Sequence, residues 1–378
     1  MTKVLFVGGT FDNEGGRPSK LIASMYNEIT GVSGYNVVLF NGGLVTSLHN
    51  IILPSVVDYD VVLWFANVSN DEDKLRDVKA INPKCILITS KRNDGSKYTF
   101  AELISRALAV KANLTIEFSK DPDGRFNMML FDPLGNVFYE GFTVSQLCYQ
   151  MMRRISQLLY FTRVPTVLET ELLAPEVPEE TEFFEFAHSC ADIFHNLIKP
   201  AKGIERFLGN LSFRCQNGFP SFRGAHGVIY VSRRNVDKSD INATSFVPTY
   251  LDAYNNVKYF GDYKPSVDTP VQLRLYNMFP WAKYMIHAHC YVDTKTIPDT
   301  KMLRTKHPIP CGALEEINEI YYVLPSLIAK FNKNPPRLLA INLVGHGCIL
   351  IAKDMEILKE LQKHKDNCFV ARQMPEYF

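Results

Sequence analysis

The second half of the chain is organised around Tyr284-Met285-Ile286-His287-Ala288-His289-Cys290. Its apolar start predicts a buried β-strand, and residues i and i+2 of a strand lie on the same face, so both imidazoles should project in the same direction. A second apolar run, 338–344, ends just before His346, which has glycine on both sides. A histidine at a single strand end is more often structural than a ligand. Two strand ends that together deliver His287, His289 and His346, however, are typical of a zinc-type site with an open fourth position.

The composition indicates a water-soluble globular protein with two domains. The chain has 378 residues, of which 46% are hydrophobic and 21% charged, and this length exceeds that of one ordinary domain. The 41 basic and 40 acidic residues nearly balance, which gives no electrostatic basis for binding nucleic acid or an acidic membrane. The eight cysteines are scattered without a CxxC pair, and no apolar run approaches the roughly 20 residues that span a bilayer. We therefore expect a cytoplasmic protein with reduced cysteines.

Residues 1–162 alternate strand-like and helix-like segments. Continuous apolar strands in β-α-β-α order predict a parallel sheet with helices on both faces, that is, a doubly wound α/β domain of the flavodoxin or Rossmann type. A hairpin is expected over 126–139, and a long helix over 144–160 should end the domain. The predicted strands are Val4–Val7, Asn36–Phe40, Asp60–Phe65, Cys85–Thr89 and Leu114–Phe118, and the predicted helices between them are Ser19–Thr30, Leu44–Leu53, Glu72–Ile81 and Phe100–Val110.

Two glycine-rich segments, 8–20 and 41–43, follow the first two predicted strands. They should lie at the sheet edge where doubly wound domains bind ligands, and backbone N–H groups at a helix start can hold a phosphate. The first segment fits neither the GxGxxG nor the P-loop spacing. Two interpretations stay open: simple tight turns, or a site for a nucleotide, a nucleotide sugar or a flavin. The candidate cofactor-binding residues are Gly9, Thr10, Gly16, Arg17 and Ser19.

Residues 163–182 contain three prolines and six glutamates. Proline breaks helices and clustered like charge favours exposure, so this stretch is predicted to be an acidic interdomain linker or an acidic arm lying on the other domain. Residues 183–378 are predicted to form the second, metal-binding domain.

Four motifs in this second domain occur in the order found in the class II aldolase/adducin family, which residues 185–365 resemble. The motifs are Gly209-Asn210-Leu211-Ser212, Pro265-Ser266-Val267-Asp268, His287-Ala288-His289 and His346-Gly347. The resemblance implies an α/β/α layered domain around a mainly antiparallel sheet. It also implies a homo-oligomer, usually a tetramer with active sites between subunits, so we expect a tetramer or a dimer.

The resemblance implies roles for individual residues as well. His287, His289 and His346 would ligate a divalent metal, normally zinc, and Asp268 would be the acid/base. The metal would polarise the carbonyl of a chelated sugar phosphate and stabilise an enediolate, while the carboxylate moves the proton. The other candidates are Tyr291 as a proton donor and, for substrate binding, Asn210, Ser212, Ser266, Arg233 and Arg234.

Several positions depart from the family pattern. Asp268 stands where the family usually has glutamate, so its carboxylate is one methylene shorter, and Val267 replaces a hydroxyl residue. The residues after His289 lack the usual proline, which alters the pocket wall. The predicted activity is therefore a metal-dependent lyase, epimerase or dehydratase of the class II aldolase type, acting on a sugar phosphate or a similar hydroxy-carbonyl compound. The alternative is a non-catalytic, adducin-like assembly domain.

Cys311 and His307 are four residues apart and suggest a nucleophile pair. Cys311 also precedes Gly312, and a cysteine in such a position is more often a small packing residue. The sequence favours the packing role.

Overall fold

A computed structural model of the protein describes residues 1–120, 124–195, 207–215 and 227–370. The chain forms two compact units, the first comprising Met1–Tyr160 and the second beginning at Phe161. In the part of the chain that the structure describes, no helix is long and apolar enough to cross a membrane.

The first unit is built on a seven-stranded sheet with the strand order β2-β1-β3-β4-β5-β6-β7. Strands β1 to β5 pair in parallel, and β6 and β7 add an antiparallel hairpin at one edge. The order 2-1-3-4-5 is that of flavodoxin-like doubly wound domains, which confirms the predicted fold class. The strands are β1 Thr2–Asp12, β2 Tyr35–Leu44, β3 Val61–Asn67, β4 Ile86–Arg92, β5 Leu114–Lys120, β6 Phe126–Phe131 and β7 Val137–Gly141, and the helices are α1 Lys20–Thr30, α2 Val45–Ser47, α3 Leu53–Ser55, α4 Asp71–Ile81, α5 Phe100–Ala109 and α6 Val144–Tyr160.

The alternation of side chains along β1 explains why helices cover both faces of this sheet. Val4 and Phe6 pack with residues of α1 and α6 in one buried cluster. Leu5 and Val7, which point the opposite way, pack with residues of α4 and α5 in another. Each fully buried side chain of this size contributes about 1.5–3 kcal/mol through removal of apolar surface from water.

The two glycine segments are more regular than predicted, because β1 continues to Asp12 and β2 to Leu44. A Cβ atom on Gly9 (φ +74°) would lie 2.6 Å from the Gly42 nitrogen, and one on Gly16 (φ +60°) would lie 1.9 Å from the Thr10 carbonyl oxygen. Both glycines are therefore needed for close backbone packing. The loop proper begins only after Asp12.

The second unit is built on a nine-stranded sheet with the order β15-β16-β17-β13-β9-β10-β11-β12-β8, and β14 pairs separately with β18. The pairs β15–β16 and β12–β8 are parallel and the others in the large sheet are antiparallel. Strand β8 lies within the stretch predicted as a linker. The strands are β8 Thr166–Leu168, β9 Asn210–Arg214, β10 Ile229–Ser232, β11 Phe246–Leu251, β12 Val257–Tyr259, β13 Tyr284–Ala288, β14 Tyr291–Val292, β15 Thr300–Arg304, β16 Leu338–Leu343, β17 Gly347–Ala352 and β18 Phe369–Val370, and the helices are α7 Thr181–Ser189, α8 Thr269–Met278, α9 Glu315–Val323, α10 Ile328–Lys333, α11 Met355–Lys363 and α12 Lys365–Cys368.

Strand β13 lies next to the central strand β9 of this sheet and contributes to both faces. Ile286 and Ala288 pack in one cluster with residues of α7 and α11. Met285 packs in another cluster with residues of α8, α9 and α10. His287 shares the face of Met285 because alternate residues of a strand point the same way. The predicted α/β/α layering around a mainly antiparallel sheet is confirmed, and His287 is directed towards the α8 and α9 layer.

Candidate metal centre

Three neighbouring strands bring the predicted histidines together. His287 is aligned in the sheet with Asn210 of β9 on one side and Ile349 of β17 on the other. His289 follows the end of β13, and His346 lies in the turn between β16 and β17. The ligand atoms of His287, His289 and His346 all lie within 4.8 Å of one another, and all three residues are buried.

The orientation of two of the rings is set by hydrogen bonds at Nδ1. In His287 this nitrogen lies 3.0 Å from the Cys348 carbonyl oxygen, and in His346 it lies 2.6 Å from Oε1 of Glu316. Because a carbonyl and a carboxylate accept hydrogen bonds, Nδ1 carries the proton in each ring and Nε2 is left for a ligand. A carboxylate behind a histidine is a common support in metal sites, where it fixes the ring and raises its basicity.

The electrostatics of the two rings differ. Burial, followed by the neighbouring His346, lowers the pKa of His287 to about 4, so this imidazole is neutral and suited to ligation near neutral pH. Burial by itself would also lower the pKa of His346, but Cys311 and Glu316 together outweigh it and hold that pKa well above the ordinary value. The pKa of Glu316 is raised, mainly by burial.

Asp268, the predicted acid/base, lies beside the imidazoles. Its Oδ2 is 3.8 Å from Nε2 of His287, so the shorter aspartate side chain still reaches the cluster. Nδ2 of Asn210 donates to this Oδ2 at 3.0 Å and to the hydroxyl of Ser266 at 2.9 Å. Gln272 of α8 in turn donates to Oδ1 of Asn210. Asn210, predicted to bind substrate, therefore holds the carboxylate in this structure, and the hydroxyl of Ser266, another such residue, lies 3.5 Å from the same oxygen.

The residues present fit a bound cation. Among the described residues, Nε2 of His287 and Oδ1 of Asp268 are buried without a hydrogen-bond partner. Leaving such a group unsatisfied costs about 1–3 kcal/mol, and a cation at Nε2 of His287 would remove that cost for the imidazole. Ligand atoms around a tetrahedral zinc with bonds of about 2.1 Å are roughly 3.4 Å apart. The spread of up to 4.8 Å therefore has to contract by at most about 1.4 Å for zinc to bind.

The other predicted site residues have varied surroundings. The Tyr291 hydroxyl accepts a hydrogen bond from the Gly345 backbone N–H at 3.2 Å, next to His346. Ser212 is fully buried and hydrogen-bonded to the Tyr276 hydroxyl at 3.1 Å, two residues along β9 from Asn210. The Arg233 guanidinium stacks on the Tyr263 ring at 4.7 Å. The exposed Arg234 donates from Nε to the Pro265 carbonyl at 3.0 Å.

Sequence reasoning missed two residues that contact the cluster. Glu316 holds Nδ1 of His346, and Sγ of Cys311 lies 3.1 Å from its Nε2. The interpretation of Cys311 as a packing residue is therefore incomplete, and the suggested pair with His307 does not form, because that exposed imidazole is bonded to Glu319 at 2.9 Å. The only sequence signal was an acidic helix start shortly after a Cys-Gly pair.

The first unit contains a separate cleft of about 760 Å³. It lies at the carboxyl ends of β1, β3, β4 and β5, where ligands bind in doubly wound sheets. Four of the five predicted residues, Gly9, Thr10, Arg17 and Ser19, line it, and Gly16 packs instead against Thr10 and Gly43. Further lining residues that the sequence analysis did not single out are Asp71, Lys91, Arg92, Lys97 and Tyr98.

The layered sheet of the second unit, with imidazoles at neighbouring strand ends and a carboxylate beside them, defines a candidate metal-binding α/β/α domain. Residues 191–357 match the family model of the Class II Aldolase and Adducin N-terminal domain. This match confirms the resemblance inferred from the four motifs: the second half of the chain carries a class II aldolase-like domain. The chain shows no match to a curated protein sequence.

Solved structures resemble parts of the chain. The DNA/pantothenate metabolism flavoprotein from Streptococcus pneumoniae is 12% identical, with 41% of this chain and 98% of that chain covered and a TM-score of 0.33. The C-terminal domain of the coenzyme A biosynthesis bifunctional protein CoaBC is 12% identical, with 42% and 95% covered and a TM-score of 0.32. An aldolase II superfamily protein from Pseudomonas syringae is 12% identical, with 51% and 76% covered and a TM-score of 0.28.

Proposed function

We propose that the second unit is a divalent-metal-dependent enzyme of the class II aldolase type. In this proposal His287, His289 and His346 hold the cation, with zinc as the best fit to an all-imidazole set. The observation that carries the proposal is the buried, unpartnered Nε2 of His287 within a cluster whose other rings are close enough to share one ion. The family match over residues 191–357 supports it.

The reaction class follows from the groups beside the imidazoles. When bound, the cation supplies a Lewis acid that polarises a carbonyl and stabilises negative charge on oxygen. Asp268 then takes or returns the proton of a substrate hydroxyl or C–H group, since its Oδ1 has no hydrogen-bond partner among the described residues. Asn210 orients that carboxylate through its bond to Oδ2. These roles suit retro-aldol cleavage or a related enediolate reaction on a phosphorylated sugar or similar hydroxy-carbonyl compound, which covers lyase, epimerase and dehydratase activities.

Metal analysis combined with substrate screening tests this function. Purified protein should contain one divalent metal per chain by elemental mass spectrometry, and His287→Ala should lose it. The matched control is His307→Ala, because His307 is exposed and its imidazole is bonded to Glu319, outside the imidazole cluster. Asp268→Asn should retain the metal but lose turnover of a panel of sugar phosphates. The proposal would be contradicted if the purified wild-type protein held no stoichiometric metal and His287→Ala did not change its metal content.

The alternative from another class is an adducin-like assembly domain that has lost turnover. It predicts a homo-oligomer whose assembly is unaffected by Asp268→Asn and no reaction with any hydroxy-carbonyl compound tested. The intact imidazole cluster favours the enzyme, since a purely structural domain gains nothing from a buried polar atom without a partner. Oligomeric state, a dimer or a tetramer in either case, stays a prediction.

A second candidate function concerns the first unit, which we propose binds a phosphorylated ligand such as a nucleotide or flavin. The supporting observation is the 760 Å³ cleft, whose lining combines Arg17, Lys91, Arg92 and Lys97 with the aromatic ring of Tyr98. Cationic side chains bind phosphate oxygens, and an aromatic ring offers a surface on which a base or flavin ring can stack. Ser19, which caps α1, adds a helix start to the same cleft.

A thermal-shift panel of nucleotides and flavins tests this site. A ligand at 100 times its Kd raises the free energy of unfolding by about 2.7 kcal/mol, which is a measurable shift. Lys91→Glu should abolish the shift. Lys84→Glu should not, because Lys84 is exposed and precedes β4, at the amino ends of the strands and away from the cleft. Absence of a shift with every compound would contradict the proposal.

A further inference from the structure

The thiol of Cys311 contacts an imidazole of the candidate metal site. Its Sγ lies 3.1 Å from Nε2 of His346, the nitrogen that faces away from Glu316. The ligand atoms of Asp268, Cys311 and His346 all lie within 4.8 Å of one another. Because His346 also belongs to the imidazole cluster, the thiol lies at the edge of that cluster.

The backbone holds this thiol in place from two sides. Gly312 has φ +68°, and a Cβ atom there would be 2.5 Å from the Val267 carbonyl oxygen, so the chain can approach the Asp268 segment this closely only with glycine. On the other side, the guanidinium of Arg163 donates to the Cys311 carbonyl. Ala313, two residues after Cys311, is fully buried and forms a β-bridge with Arg163.

A second observation, an unpartnered buried nitrogen of the neighbouring imidazole, points to a ligand in this cluster. Nε2 of His287 is fully buried and has no hydrogen-bond partner among the described residues, and the ring centroids of His287 and His346 are 4.6 Å apart. A cation bound at Nε2 of His346 would have Sγ of Cys311 within reach, because these two atoms are 3.1 Å apart, close to the spacing of two ligands on one zinc ion.

We propose that the Cys311 thiolate is a fourth protein ligand of the cation held by His287, His289 and His346. This inference rests on the proposed metal site and adds to it a His₃Cys donor set. When Sγ and Nε2 of His346 both bind the ion, the proton now shared between them leaves to solvent. The thiolate makes the site selective for zinc over magnesium or manganese. With the three imidazoles it would fill the position that a zinc site otherwise leaves open to a substrate oxygen.

Cobalt substitution of the full chain reads out the donor set directly. Protein loaded with one Co²⁺ should show the visible bands of a four-coordinate ion together with a near-ultraviolet sulfur-to-cobalt charge-transfer band. Cys311→Ser should lose the charge-transfer band and bind zinc more weakly by about 10-fold or more in a chelator competition, since even loss of an outer partner costs about 10–100-fold. Cys215→Ser is the matched control, because Cys215 is also a partly buried free cysteine, and it should retain both properties.

A second measurement avoids any variant that fails to fold. In the wild-type protein, iodoacetamide should modify Cys311 quickly without metal and slowly with one equivalent of zinc, whereas the rate at Cys215 should not change. A chain that binds one Co²⁺ without a charge-transfer band, or equal labelling of Cys311 with and without zinc, would overturn the thiolate ligand and leave the three-histidine site intact. A chain that binds no cobalt at all would overturn both proposals.

Discussion

Replacing Glu316 by glutamine should weaken metal binding while leaving the fold intact. Glu316 is 2% exposed, and its Oε1 lies 2.6 Å from Nδ1 of His346. The amide oxygen of glutamine can still accept this hydrogen bond, so the ring orientation is retained. What is lost is the negative charge that makes Nε2 a stronger donor. Loss of such an outer carboxylate typically reduces metal affinity about 10–100-fold, equivalent to about 1.4–2.7 kcal/mol of binding free energy.

The assay is competition for zinc against a chromogenic chelator, with circular dichroism to verify the fold. Glu319→Gln is the matched control, because Glu319 lies one turn further along α9 and bonds another imidazole, the exposed His307, at 2.9 Å. We expect the wild-type affinity in Glu319→Gln and an affinity lower by about 10-fold or more in Glu316→Gln. Equal zinc affinities in the two variants would refute the idea that Glu316 supports a metal ligand.

Two further changes test the surroundings of the site. Gly312→Ala should lower the free energy of unfolding, measured in urea, by about 1–3 kcal/mol more than Gly261→Ala. Both glycines have positive φ, but only a Cβ atom on Gly312 would meet another atom, the Val267 carbonyl oxygen at 2.5 Å. Equal losses of stability in the two variants would count against that contact. Burial lowers the pKa of Lys238 to about 7 from 10.5. The unfolded chain keeps this proton above pH 7 while the native protein releases it, so the free energy of unfolding should rise by up to about 1.4 kcal/mol per pH unit between pH 7 and 10. Urea titrations at pH 7 and 9 should show a smaller rise in the free energy of unfolding for Lys238→Met. The control Lys264→Met, at an exposed lysine, should keep the wild-type rise. A wild-type rise in Lys238→Met would refute the lowered pKa of Lys238.

The core strands of the first unit, and β13 and β16 of the second, could be predicted because burial on both sides leaves continuous apolar runs in the sequence. The run Val61–Phe65, for example, is at most 7% exposed, and it was predicted almost to its ends. The extension of β1 to Asp12 and of β2 to Leu44 could not be predicted in the same way. In that part of the sheet Phe11 pairs with Gly43. Glycines allow the backbones to approach closely there, and because they have no side chain the sequence shows no hydrophobic pattern that would predict a strand.

The same distinction explains the site. His287 and His289 could be paired from the sequence because the two-residue period of a strand places them on one face. Asp268 could be placed only through the family motif, since nothing local brings the start of α8 beside β13. The contacts of Cys311 and Glu316 with His346 span 35 and 30 residues of sequence. Such contacts depend on how helices pack on the sheet, and helix packing is not encoded in any local period.

One short segment, residues 311–316, contacts both ring nitrogens of His346. Cys311 lies at Nε2 of His346 and Glu316 at Nδ1, so the position of this ring and the position of the segment depend on each other. The segment itself is fixed by Arg163 at one end and by the approach of Gly312 to the Asp268 loop. The carboxylate proposed to move the proton and the imidazole proposed to hold the cation are thus tied to one piece of backbone. Substitutions in this segment should therefore change metal affinity and proton transfer together, whereas substitutions on the exposed face of α9 should change neither.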